Sequence, residues 1–238
     1  RVVAPDLRGH GRSEVMPSGS YTPDDYVADI EALIRAGYQG RKFVLVGHSM
    51  GAQIAARLAA KRPDLVSAVV SIDGALGFDA TAAQIFAKAA RDLALGEPAT
   101  VAPALFAGVY DQATDPAFRR WHARRVQGMP LHVVRETFGP LFTGPDQIGV
   151  NEASARFCRQ LTVPVYHLCR DPAQASRAHG RFHHLVVQLT GCLTYDVLTS
   201  VTNRIIQVQS DRFLAAHGSE VSTREGLELA HRAHRKLI

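Results

Sequence analysis

Apolar residues follow two rhythms along this 238-residue chain. Short continuous runs occur at Arg1–Asp6, at Lys42–Gly47 and at Val66–Ile72. Such runs suit strands covered on both faces of a parallel sheet. Helical periodicity fills the intervals. Thr22 is a good N-cap, Pro23 fits the first helical position, and Asp24 and Asp25 favour the positive end of the helix dipole. Tyr26, Val27, Ile30, Leu33 and Ile34 then make one stripe, closed by Gly37. An alanine-rich helix is predicted over Gly51–Arg62. Strand, helix, strand, helix, strand in this order predicts a parallel α/β sheet with right-handed crossovers.

The rhythm changes after Gly74. Helical patterns dominate to about Gln160, at Thr81–Leu95, Ala99–Tyr110, Pro116–Val126 and Leu131–Phe142, with Gly and Pro between them. A crossover needs only about a dozen residues. The expected organisation is therefore a core from residues 1–74 and 161–238 with a helical lid at 75–160. Strands are expected again at Val163–Cys169, His184–Leu189 and Arg204–Gln209, and a closing amphipathic helix at Glu225–Leu237.

Composition narrows the class. Hydrophobic residues make up 46% and charged residues 21%, which excludes a disordered or fibrous chain. No apolar run reaches the length of a membrane-spanning helix. Lys and Arg exceed Asp and Glu by 27 − 22 = 5. The arginines are scattered, with a mild concentration at Arg119, Arg120, Arg124 and Arg125, so neither nucleic acid nor a membrane is an expected partner. Cys158, Cys169 and Cys192 form no CxxC pair and no disulfide framework; they read as idle thiols of a reducing, cytoplasmic compartment. The apolar run beginning beside Arg1 reads as a strand already under way, so the first strands are expected upstream.

One motif carries chemistry. Gly47-His48-Ser49-Met50-Gly51 follows a predicted strand and precedes a predicted helix. That is the setting of a nucleophile elbow, a tight turn that lifts the serine hydroxyl above the sheet edge. Gly47 and Gly51 are expected to leave room where side chains would collide. The Met50 N–H, at the helix N-terminus, is the expected oxyanion donor. His48 is expected to pack or to line the pocket. Gly9-His10-Gly11 has a competing reading as a phosphate cradle, but Glu14 stands where that pattern needs glycine.

With the upstream block Arg1-Val-Val-Ala-Pro-Asp-Leu-Arg-Gly-His-Gly-Arg-Ser13, the elbow resembles the α/β-hydrolase superfamily. The resemblance implies a mostly parallel sheet flanked by helices, a lid, and a Ser–Asp–His triad in that chain order. Asp171, after the strand at Val163–Cys169, fits the acid; Asp73 is the runner-up. His217 is the preferred base, with His179, His183, His184, His231 and His234 as the other candidates. Trp121 in the lid is expected either to wall the pocket or to pack the lid onto the core beside solvated arginines. The implied activity is hydrolysis of an ester, lactone or related carbonyl of a small molecule through an acyl-serine, with no metal and no cofactor. A cofactor-free haloperoxidase or lyase, and a non-catalytic binding protein, are the alternatives.

Overall fold

The computed structural model of the chain describes residues 2–107, 110, 112 and 114–168, and the backbone of 183–184. Arg1–Val186 forms one compact unit; Val187–Ile238 is a separate one and lies outside the described residues. The expected strand at Arg204–Gln209 and helix at Glu225–Leu237 therefore lie outside them, as do Cys169, Asp171, Cys192 and His217.

Helix α1 (Pro23–Gly37) starts where its punctuation predicts. The Thr22 hydroxyl accepts from the Asp25 N–H, and the Asp25 carboxylate accepts from the Thr22 N–H, closing a capping box. Its buried face is Tyr26, Val27 and Ile34; Leu33 turns outward. Strand β1 (Phe43–His48), helix α2 (Met50–Lys61) and strand β2 (Val66–Ile72) follow. Ala52, Ala55, Ala56 and Ala59 on α2 are buried, and their small side chains let the helix lie close against the strands. Glu31 ties α1 to α2 through Lys61 at 3.2 Å and through Arg62, whose guanidinium holds the Glu31 carboxyl below its usual range.

Among the described residues five helices lie between β2 and the next strand: α3 (Ala80–Leu95), α4 (Pro98–Ala107), α5 (Pro116–Gln127), α6 (Leu131–Phe142) and α7 (Asn151–Cys158). Strands β3 (Val165–Leu168) and β4 (His183–His184) complete a sheet of order β1-β2-β3-β4, with every pair parallel. A core of Val66, Val69, Leu58, Val165 and Tyr26 fills the space between sheet and helices.

Two expectations need correction. Residues 2–6 form no strand and are exposed, with Val2 at 90%. Among the described residues no strand runs beside them, and an apolar run without a ladder partner has nowhere to bury its side chains. Strand β1 is also not covered on both faces. Leu45 packs into the core while Val44 and Val46 are 51% and 58% exposed. β1 is an outer strand of the described sheet, and α2 covers only one of its faces.

Candidate active site

The bend between β1 and α2 holds Ser49 at φ 50°, ψ −116°, a conformation that costs a non-glycine residue about 1–3 kcal/mol. Three backbone hydrogen bonds hold it there. The Ser49 N–H donates to the Ile72 carbonyl at 3.2 Å, and the Ser49 carbonyl accepts from Ala52 and Ala75, each at 3.1 Å. Ser49 is exposed, and its side chain does not cap the helix that follows it. Ser49 is therefore open to solvent at the C-terminal end of β1.

Gly47 is the tight point. A Cβ there would lie 2.2 Å from the Gly51 carbonyl oxygen and 2.5 Å from the Ala52 nitrogen. The expected collision at Gly51 is absent: among the described residues a Cβ there meets nothing within 4 Å. The crowding is one-sided because the strand backbone at 47 runs under the first turn of α2, whereas position 51 faces open space. Met50 is the first residue of α2, so its N–H has no acceptor within the helix. His48 is exposed at the last residue of β1.

The neighbouring strand ends in a second strained residue. Asp73 has φ 42°, and its N–H donates to the Leu168 carbonyl at 2.6 Å. His48 pairs with Ile72 across the sheet, so Asp73 stands level with Ser49 along the same edge. Ser49 and Asp73 are the two positive-φ non-glycine residues among those described. Two residues deeper, the buried Ser71 Oγ lies 2.8 Å from the His167 Nδ1.

An apolar wall packs against Met50 beside the bend. Ala75, Leu141, Phe142 and Val150 are its buried members, and Met50, Phe78, Phe86 and Phe138 pack against them. Phe86 and Phe142 stack with centroids 4.1 Å apart, and Phe78 meets Phe86 edge-on at 4.9 Å. The sequence reading missed this wall: its phenylalanines belong to three separate segments, and only the fold gathers them. Trp121 is not part of it. Trp121 is 49% exposed on α5, where its ring contacts Phe118 and lies under the Arg125 guanidinium at 4.9 Å. Among the described residues it joins none of the buried clusters, and it lies on the face of α5 away from the buried Val126.

Among the described residues no imidazole is hydrogen-bonded to the Ser49 hydroxyl. His10 and His132 are paired with backbone carbonyls, His122 with Tyr110, and His167 with Ser71. Among the same residues no group of three or more His, Cys, Asp or Glu is placed to hold a metal, and no helix is long and apolar enough to cross a membrane. Cys158 is buried, which raises its thiol pKa to about 12 and leaves it unreactive. The Gly9–Gly11 loop serves the fold: Arg8 grips Asp29 at 2.6 Å, and the Arg12 N–H donates to the Asp6 carboxylate at 3.0 Å.

Residues 1–131 match the family described as alpha/beta hydrolase fold. A 72-residue stretch, 30% of this chain, is 49% identical to 2-(acetamidomethylene)succinate hydrolase of Mesorhizobium japonicum, covering 25% of that protein. A 78-residue stretch, 33% of this chain, is 44% identical to Lipase LipV of Mycobacterium tuberculosis, covering 29% of it. The matches thus span little more than a quarter of these relatives' length. The solved structure of E-2-(acetamidomethylene)succinate hydrolase superposes with a TM-score of 0.57 at 26% identity, over 84% of this chain and 79% of that one.

Proposed function

Since this chain belongs to the α/β-hydrolase fold family, we propose that it is a serine hydrolase that cleaves an ester, lactone or related carbonyl compound through an acyl-serine. The observation that carries the reading is Ser49 itself, held exposed at φ 50° on the strand-to-helix bend. A strained residue at such a turn persists only when its surroundings over-determine it, and such strain gathers at active sites.

The chemistry then runs in two halves. The Ser49 hydroxyl attacks the substrate carbonyl while a histidine takes its proton, and the Met50 N–H donates to the oxygen as it becomes negative; the intermediate then collapses, its carbon–oxygen bond to the alcohol breaks, and the histidine gives its proton to the departing alcohol. Water next attacks the acyl-serine as the same histidine takes its proton; the bond from the acyl carbon to the Ser49 oxygen breaks, the acid leaves, and the histidine returns the proton to Ser49. His217 is the base and Asp171 the acid of this proposal. β3 ends on the edge that carries Ser49, and Asp171 follows its last residue by three positions in the chain. Asp73 is the second reading of the acid, favoured by its place level with Ser49 on the adjoining strand. Helices α3 to α7 act as the lid, and their phenylalanines make an apolar wall beside Met50. That wall favours an ester with an apolar group, as does the likeness to a protein named a lipase. The substrate is a small molecule.

Hydrolysis of p-nitrophenyl acetate tests the reading. Ser49→Ala is expected to lower kcat by about three orders of magnitude or more while the fold persists. Turnover that survives the substitution contradicts it.

A further inference from the structure

Gln53 sits one turn into α2, four residues after Ser49, and is 0% exposed. Its Nε2 donates to the Ala75 carbonyl at 2.6 Å and to the Leu141 carbonyl at 2.9 Å. Carbonyls only accept, so this pairing assigns the amide orientation. Its Oε1 is buried without a hydrogen-bond partner among the described residues, an arrangement that costs stability. Packing alone would be served better by leucine, so the amide's value lies in its two N–H groups.

Those groups meet at the neck of the helical insertion. Residues 75–78 leave the core there and 148–150 return beside them. The Phe78 N–H donates to the Gly149 carbonyl at 3.1 Å, and Phe78 pairs with Val150. Gly149 lets the backbone pass close: a Cβ there would lie 2.5 Å from the Leu141 carbonyl oxygen and 2.9 Å from the Gln53 Nε2. Leu141 lies in the last turn of α6, where carbonyls lack helical donors. Ala75 is bonded in turn to Ser49, its N–H donating to the Ser49 carbonyl. A continuous path therefore runs from the Ser49 carbonyl through Ala75 and the Gln53 amide to α6. Ala75 and Leu141 are also two buried members of the apolar wall that Met50 packs against.

We propose that Gln53 is a positioning residue: its amide clasps α6 to the elbow and so sets the distance between the phenylalanine wall and the Ser49 hydroxyl. This rests on the serine-hydrolase reading for its consequence. Long acyl groups need the wall and short ones do not, so losing the clasp raises KM for long esters selectively.

The test uses the full chain with Gln53→Leu, which keeps the volume and removes both donors, and Gln53→Glu, which keeps the shape. KM and kcat are measured for p-nitrophenyl acetate and p-nitrophenyl octanoate. Gln53→Leu is expected to raise the octanoate KM roughly tenfold more than the acetate KM. Amide exchange over 75–78 and 139–143 is expected to accelerate roughly tenfold. In Gln53→Glu a carboxylate faces two carbonyls, so burial and repulsion raise its pKa. Its octanoate-to-acetate KM ratio, divided by that of the wild type, is expected to fall toward one between about pH 8 and about pH 5, as the neutral acid regains a donor. A purely packing role does not produce that pH dependence. KM ratios within twofold of the wild type, at every pH and in both folded variants, overturn the clasp. If Gln53→Leu does not fold, Gln53→Glu decides alone. If the wild type hydrolyses neither ester, the hydrolase reading is the one that fails. Exchange then decides the clasp: acceleration in the folded variants supports it and unchanged exchange overturns it.

Discussion

A serine held at φ 50° is unfavourable by itself, and the residues around it determine whether it persists. Gly47 contributes by what it lacks. Gly47→Ala forces a Cβ into the Gly51 backbone and is expected to cost about 1–3 kcal/mol in urea unfolding. Gly51→Ala meets open space inside a helix and is expected to stabilise by about 0.4–1 kcal/mol. Equal costs for the two would show that the crowding is not one-sided. The motif at 47–51 was legible because its residue types and its place between strand and helix specify one turn. Gln53 was not legible. A glutamine in an alanine-rich helix reads as a surface position, and only the folded neck supplies the two carbonyls that bury it. Asp171 and His217 rest on chain order and the family resemblance, and they lie outside the described residues.

At the scale of elements, α6 does more than cover the sheet. The His132 Nε2 donates to the Met16 carbonyl at 3.0 Å, and Glu136 accepts from the Gly19 N–H at 2.7 Å and from the Ser18 hydroxyl. The Tyr26 and Thr137 hydroxyls pair at 2.7 Å inside the core. Burial raises the Tyr26 pKa to about 12, above its ordinary 10.0. A raised phenol favours the native state fully below the unfolded value, and that contribution is lost as pH rises from about 10 to about 12. Wild-type stability is therefore expected to fall across that window more steeply than that of Tyr26→Phe, measured by urea midpoints on its alkaline side. Parallel curves for the two proteins would deny the coupling. The helix at 131–142 was bounded correctly by its own periodicity. Its anchors were invisible, because each joins residues more than a hundred positions apart.

For the whole molecule, sheet order sets where substitutions hurt. β2 lies between β1 and β3, whereas β1 presents one face to solvent. Val69→Ala, at a side chain 0% exposed, is expected to cost about 2 kcal/mol. Val46→Ala, 58% exposed, is expected to stay within about 0.5 kcal/mol. Chemical denaturation of both variants checks the contrast. The parallel order of strands followed from contiguous apolar runs alternating with helical stripes. The open face of β1 did not, because a run of Val and Leu reads alike whether one face is covered or two. The proposed chemistry rests on one hydroxyl, so its reactivity is the most direct test. The chain is treated with a fluorophosphonate and the adduct is located by peptide mass mapping. A single adduct on Ser49, absent from Ser49→Ala, is the predicted result. A folded chain that takes no label, or takes it on another residue, contradicts the account.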